Sequence, residues 1–190
     1  MTPFGSYIER KLIDESVEAT EHNFQTATYP QIRFAEMYLI AAEAAIELGQ
    51  IDEAATYLDA LRARIGMPDT RATLAVRGKS FNQADMREFL RQQRRSELAF
   101  EESRFFDIRR WMIAPDVVRE PTAICVVARL KPGQTATLPY VHDDTKWDYT
   151  YSVLDLSYRE LRKWDNKLYF APITREEMNR NTAMVQNPGY

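Results

Sequence analysis

LRQQRRSELAFEESRFFDIRRWM, residues 90–112, sets a helical period against charge in a way that decides the reading of the chain. Counted from Met86, the positions Met86, Phe89, Leu90, Gln93, Glu97, Phe100 and Arg104 recur three or four residues apart, so a helix puts them on one face. That face starts apolar, and Phe100 predicts that it still points inward. Glu97 and Arg104 then fall on a buried stripe, where a charge is costly unless paired and hydrogen-bonded. Arg94 stands three before Glu97 and Asp107 three after Arg104, within reach on a continuous helix. The expectation is an internal rod pinned by a polar network of Arg94, Glu97, Arg104 and Asp107, with Trp111 at its end. The alternative is a solvated, charge-laced helix; the closeness of Phe100, Phe105, Phe106 and Trp111 speaks against it.

Upstream, residues 32–48 read IRFAEMYLIAAEAAIEL. Phe34, Met37, Tyr38, Ala41, Ala45 and Leu48 have helical spacing, and Gly49 is a fitting stop. A second helix follows in DEAATYLDALRARI (52–65), closed by Gly66 and Pro68. Ala41, Ala42, Ala45, Ala54 and Ala55 allow the two helices to approach closely. The pair, with its step from Gly49 to Ala54, resembles a tetratricopeptide unit. One such unit cannot bury both faces alone, so it must stack on the helix of 83–102 or on helices outside this chain.

Elsewhere the signals are shorter. Residues 6–13 alternate loosely and suggest a strand, 14–30 a loop, and 68–82 a loop ending in an N-cap at Asn82. TAICVVARL (122–130) is β-branched and reads as a strand, KPGQ as a turn, and ATLPYV (136–141) as a paired edge strand because Pro139 excludes a central one. KLYFAPI (167–173) reads as a short strand, and Thr174 to Glu177 as a capping box opening a helix. The fold class expected is mainly α (α+β): a helix pair, a long central helix, and a small strand- and loop-rich C-terminal part, in one domain over residues 1–190.

Composition bounds the function. The chain has 190 residues, 45% hydrophobic, which suffices for a real core, and its net charge of −3 comes from interspersed acids and bases. No basic stripe argues for nucleic acid or for anionic lipid. No apolar run is long enough to span a bilayer, and the first residues lack the apolar stretch of a signal peptide. Cys125 is alone, so no intrachain disulfide is expected; it reads as a small buried hydrophobe. His22 and His142 have no Cys or second His nearby, so neither metal nor other cofactor is expected; His142-Asp143-Asp144 reads as a solvated turn. Glu101 and Glu102 are adjacent, and on a helix they diverge, so they cannot face one another across a glycosidic bond. No catalytic residue is assigned.

Binding has better support. Flat apolar sugar faces edged with hydroxyls suit aromatic platforms flanked by polar groups. Trp147, Tyr149, Tyr151 and Trp164 are the candidates, and the first three alternate, so an extended segment puts them on one face. The other reading buries the same rings against the helices.

Four segments then carry a resemblance. RRSELAFEESRFFDIRRW resembles the SusD/RagB pattern ER-x-x-EL-x-FEG-x-R-x-x-DL-R-RW at Arg94, Glu97, Leu98, Phe100, Glu101, Arg104, Asp107, Arg109, Arg110 and Trp111. Gln93 stands where that pattern has Glu, and Glu102 where it has Gly. RFAEMYLIAAEAAIELG, RARIGMP and the ending LYFAPITREEMNRNTAMVQNPGY are similar to further segments of the family, in the same order. The resemblance implies a non-catalytic, glycan-binding lipoprotein on the outer face of the outer membrane. It implies a partner too, a SusC-like TonB-dependent transporter in nutrient uptake. It also implies longer chains than this one, with an N-terminal helical-repeat region and a lipid-anchor cysteine that this sequence does not contain. The alternative kept open is a helical-repeat module for protein–protein contact without glycan binding.

Overall fold

The computed structural model describes residues 4–5, 11–17, 26, 28–137 and 141–190. Two compact units emerge, one of Lys11–Asp107 and one of Met1–Arg10 with Ile108–Tyr190. In the first, α1 (Phe34–Glu47), α2 (Ile51–Ala63), α3 (Thr70–Val76) and α4 (Gln83–Glu97) follow one another. After a break, α5 (Ser103–Arg110) runs across the boundary between the units. The second unit also holds α6 (Ala114–Val117), α7 (Arg175–Arg180) and an antiparallel sheet of β1 (Phe4–Gly5), β2 (Thr122–Leu130) and β3 (Trp147–Asp155), in the order β1-β2-β3. The architecture is mainly helical with a small sheet, as the sequence predicts.

The core lies in the helical unit. Leu39, Ala42, Ala45 and Ile46 of α1 meet Ala54 and Leu58 of α2, Leu74 of α3, and Met86, Phe89 and Leu90 of α4. Each large side chain so buried contributes about 1.5–3 kcal/mol. The alanines lie at the contact, as their size requires. Gly49, at φ 77°, turns α1 into α2: its N–H reaches the Ile46 carbonyl, and the Gln50 N–H reaches that of Ala45. Asn82 caps α4 by accepting from the Asp85 N–H at 2.9 Å.

Several expectations need correcting. Residues 68–82 hold α3, because Asp69 accepts from the Ala72 N–H at 2.7 Å and Leu74 supplies an anchor in the core. The segment 167–173 is no strand; it opens with a 3₁₀ turn over Asn166–Tyr169. The predicted strands at 6–13 and 136–141 lie partly outside the described residues, and their described parts carry no strand. The described partners of β2 are instead β1 on one edge and β3 on the other, with Leu130 opposite Trp147 and Thr122 opposite Asp155. Cys125, on β2, is half-buried.

The central rod needs correcting too. It is α4, and it ends at Glu97 instead of running on through Arg104. Phe100 (φ 64°) and Glu102 (φ 59°) adopt the left-handed conformation that costs a non-glycine residue about 1–2 kcal/mol. Cations meet the helix end: Lys11 donates to the carbonyls of Glu97 (2.7 Å) and Ala99 (3.1 Å), and Arg33 to that of Glu97 (2.9 Å). The last carbonyls of a helix carry partial negative charge and have no partner within it, so these donors stabilise the break. Phe100 does not face inward; it is 61% exposed, and Phe105 and Phe106 are exposed as well.

Candidate functional site

The charged network exists with different partners from those the spacing suggests. Arg94 is buried on α4; its Nε donates to Asp107 Oδ2 at 2.7 Å and its Nη2 to Glu36 Oε1 at 2.9 Å. Asp107 is equally buried. Glu97 turns to Arg33 and Arg64, both with Nη at 3.0 Å from Oε1. Arg33 also donates to Glu101 Oε2 at 2.9 Å. Neither the Arg94–Glu97 spacing, within α4, nor the Arg104–Asp107 spacing, within α5, closes a hydrogen-bonded pair, because basic residues from elsewhere in the chain take both acids: Arg94 holds Asp107, and Arg33 and Arg64 hold Glu97. Arg104 is half-buried, and burial chiefly depresses its affinity for a proton, with Arg95 adding to this and Asp107 opposing it. Trp111 belongs to the other unit, where the Arg110 guanidinium lies 5.0 Å from its ring centre. Spacing missed Lys11, Arg33, Glu36 and Arg64 as partners; only the places of Arg33, Glu36 and Arg64 in the motif-like segments marked those three.

Arg62 is a second buried cation. It is held by neutral acceptors: the Pro68 carbonyl (2.7 Å), Gln93 Oε1 (3.0 Å) and Thr73 Oγ1 (2.6 Å). Gln93 therefore faces a guanidinium at the position where the motif has Glu.

In the sheet unit, Trp147, Tyr149 and Tyr151 lie on β3 and share one face by strand alternation. Their cross-strand neighbours on β2 are Leu130, Ala128 and Val126, and the next pair is Val153 with Ile124. Residues directly opposite in an antiparallel pair project to the same side, so one face carries four successive apolar pairs. Tyr151 is 63% and Val153 77% exposed. His142 stacks on the Tyr149 ring at 4.5 Å, with the planes 14° apart, and the Asp143 N–H donates to the Tyr149 hydroxyl at 3.1 Å. The ring of Tyr149 is thereby fixed in orientation, while that of Tyr151 stays open.

Trp164 does not join that row. It meets Tyr169 edge-on at 4.9 Å, with the Arg109 guanidinium 5.6 Å from its ring centre. In the same unit, the QNPGY ending folds back on residues 170–173. The Gln186 side chain accepts from the Ile173 N–H at 2.8 Å and donates to its carbonyl at 2.9 Å, replacing a strand partner. Asn187 donates to the Ala171 carbonyl at 2.6 Å.

Asp143 caps its own turn: hydrogen bonds from the Thr145 hydroxyl and N–H hold its carboxyl below the usual range. Among the described residues, no three His, Cys, Asp or Glu side chains gather as metal ligands would. No described helix is long and apolar enough to cross a membrane.

The chain is similar to known proteins. The model of the SusD family matches residues 2–190. SusD-like protein P2 of Formosa agariphila is 32% identical over 167 residues, which are 87% of this chain and 26% of that protein. Among solved structures, a SusD-like protein from Bacteroides fragilis matches at a TM-score of 0.61 and 29% identity, over 85% of this chain and 26% of that one. A second, BT4246, matches at a TM-score of 0.55 and 28% identity, over 87% and 26%. The chain thus spans about a quarter of the length of the relatives it matches.

Proposed function

This chain belongs to the SusD family, and on that premise we propose that it binds oligosaccharide, without turnover, as part of the capture component of a SusC/SusD-type uptake system. The observation that carries the reading is the aromatic row of β3, with Tyr151 open and Tyr149 oriented by His142. A sugar ring stacks its apolar face on such a surface and needs no bond-breaking machinery. Trp147, Tyr149 and Tyr151 form the platform; Trp164 stands apart from it and is a second, separate contact at most. In this reading the component acts at the outer face of the outer membrane, held by a lipid anchor beside a TonB-dependent transporter. Residues 1–190 then make up one domain of that component.

Calorimetry against a glycan panel tests the proposal. The parent chain binds at least one neutral oligosaccharide, and Trp147→Ala or Tyr151→Ala weakens it about tenfold, in line with the ~1–3 kcal/mol expected of a buried ring contact. Release of reducing sugar by the pure protein, abolished by a single carboxylate change, would overturn it.

A second reading is a helical module for protein contact. It draws on α1 and its approach, where Ile32, Phe34, Met37, Ile40 and Leu48 are all exposed. It gains if Trp147→Ala leaves glycan binding untouched while changes at Phe34 and Ile40 break association with the transporter.

A further inference from the structure

β3 is the last strand of its sheet: β2 takes one edge, and among the described residues no strand takes the other. Backbone N–H and C=O groups alternate between the two sides of a strand, so β3 presents a row of them on its outer side. Nothing blunts that edge. Its ladder with β2 runs through successive one-to-one pairs from Trp147 to Asp155 with no bulge, and the strand contains no Pro, Gly or Lys. Thr150, Tyr151, Ser152 and Val153 are all exposed. Such an edge is a template for a further strand.

We infer that the further strand is the β3 of a second copy of this chain, paired antiparallel about a two-fold axis at Thr150, so that the aromatic row continues from one copy into the other. The consequence for ligands rests on the proposed function; the pairing itself does not.

The strand complements itself in this register. Tyr149 falls opposite the second copy's Tyr151, Trp147 opposite its Val153, and Thr150 opposite its Thr150. Aromatic–aromatic, aromatic–β-branched and Thr–Thr pairs are those that stabilise a sheet. Charge agrees with them. Asp148 falls opposite Ser152, which keeps the two Asp148 side chains about 13 Å apart along the strands, and Lys131 Nζ already stands 3.7 Å from Asp148. Asp155 lies outside the paired stretch 147–153. No like charges oppose one another, and the contact closes at two copies because each β3 uses its one outer edge.

Opposite residues of an antiparallel pair project to one side, so Trp147, Tyr149 and Tyr151 of both copies share a face. At ~3.4 Å per residue, the aromatic strip runs about 20 Å from one Trp147 to the other, against about 14 Å in a single copy. A long oligosaccharide gains rings from the second copy that a short one does not reach.

Sedimentation of the full chain over a concentration series tests the pairing. The parent is expected to pass from 22.2 kDa to twice that mass as its concentration rises. Thr150 lies on the face opposite the rings and is exposed, so Thr150→Lys leaves the fold and the platform in place while setting two like charges across the axis. Thr150→Lys and Thr150→Glu are each expected to stay at the single mass with an unchanged melt, and their equimolar mixture to recover the double mass. At concentrations where the parent is paired, a neutral hexasaccharide is expected to bind it at least tenfold tighter than Thr150→Lys, and a disaccharide of the same units to bind both alike. A parent that stays at 22.2 kDa leaves the edge to a strand of another protein and overturns the inference. A double mass that persists in Thr150→Lys, or a mixture that fails to recover it, places the contact elsewhere and overturns it too. Equal affinity of the hexasaccharide for parent and Thr150→Lys overturns the shared strip. If the masses follow expectation while no neutral glycan binds, the proposed function fails and the pairing stands.

Discussion

Arg94 is the residue on which most of the buried charge converges. Its guanidinium joins Asp107, thirteen positions on, to Glu36, fifty-eight positions back. A charge removed from such a pair strands its partner out of water, which is worse than replacing both. Arg94→Ala is expected to destabilise the chain by about 3–5 kcal/mol in a denaturant melt; a loss under about 1 kcal/mol would mean that water reaches Asp107 freely. Glu97 has a milder role, because it stays partly exposed between Arg33 and Arg64. The charged character of this stretch was legible in the sequence. The pairing was not: it depends on where α4 stops, and two left-handed residues without glycine gave no signal of that.

At the scale of an element, the C-terminus of α4 depends on groups far away in the chain. Lys11 and Arg33 close its carbonyls and hold Glu101. Burial alone would raise the Glu101 carboxyl, but the hydrogen bonds and charges of Arg33 and Lys11 outweigh it and set it below the ordinary 4.5. A carboxyl depressed in the folded state binds protons more readily once unfolded. Its stabilisation is therefore complete above pH ~4.5 and fades as the pH falls through the lower, folded value. Melts of the parent and of Glu101→Gln are expected to differ most at pH 7 and to draw together as the pH falls through the lowered, folded value. A constant difference would show that Glu101 does not titrate against these cations. Helix starts were readable from sequence, since Asn82 and Thr174 act as caps at the positions their types announce. Strand partners were not readable: β2 announces itself by its β-branched run, yet β3 is rich in aromatics and read as a binding row before it read as a sheet.

For the whole molecule, burial is unevenly spread. Every buried hydrophobic side chain among the described residues lies between Ala35 and Leu98 except Ala114. Apolar burial is the main favourable term in folding, so residues 11–107 are expected to melt cooperatively as a fragment, and 108–190 to show no cooperative transition. A sigmoidal melt of the isolated 108–190 piece would refute this. Periodicity, caps and motif order by themselves determined the family, the helix pair and the mainly α class, because these follow from local spacing and from residue types that one backbone geometry favours. Only the tertiary structure decided which charges pair, and that the aromatic row forms one face of the β2–β3 ladder while Trp164 stands elsewhere. Those facts depend on distances between residues far apart in the chain, and no local period encodes such distances.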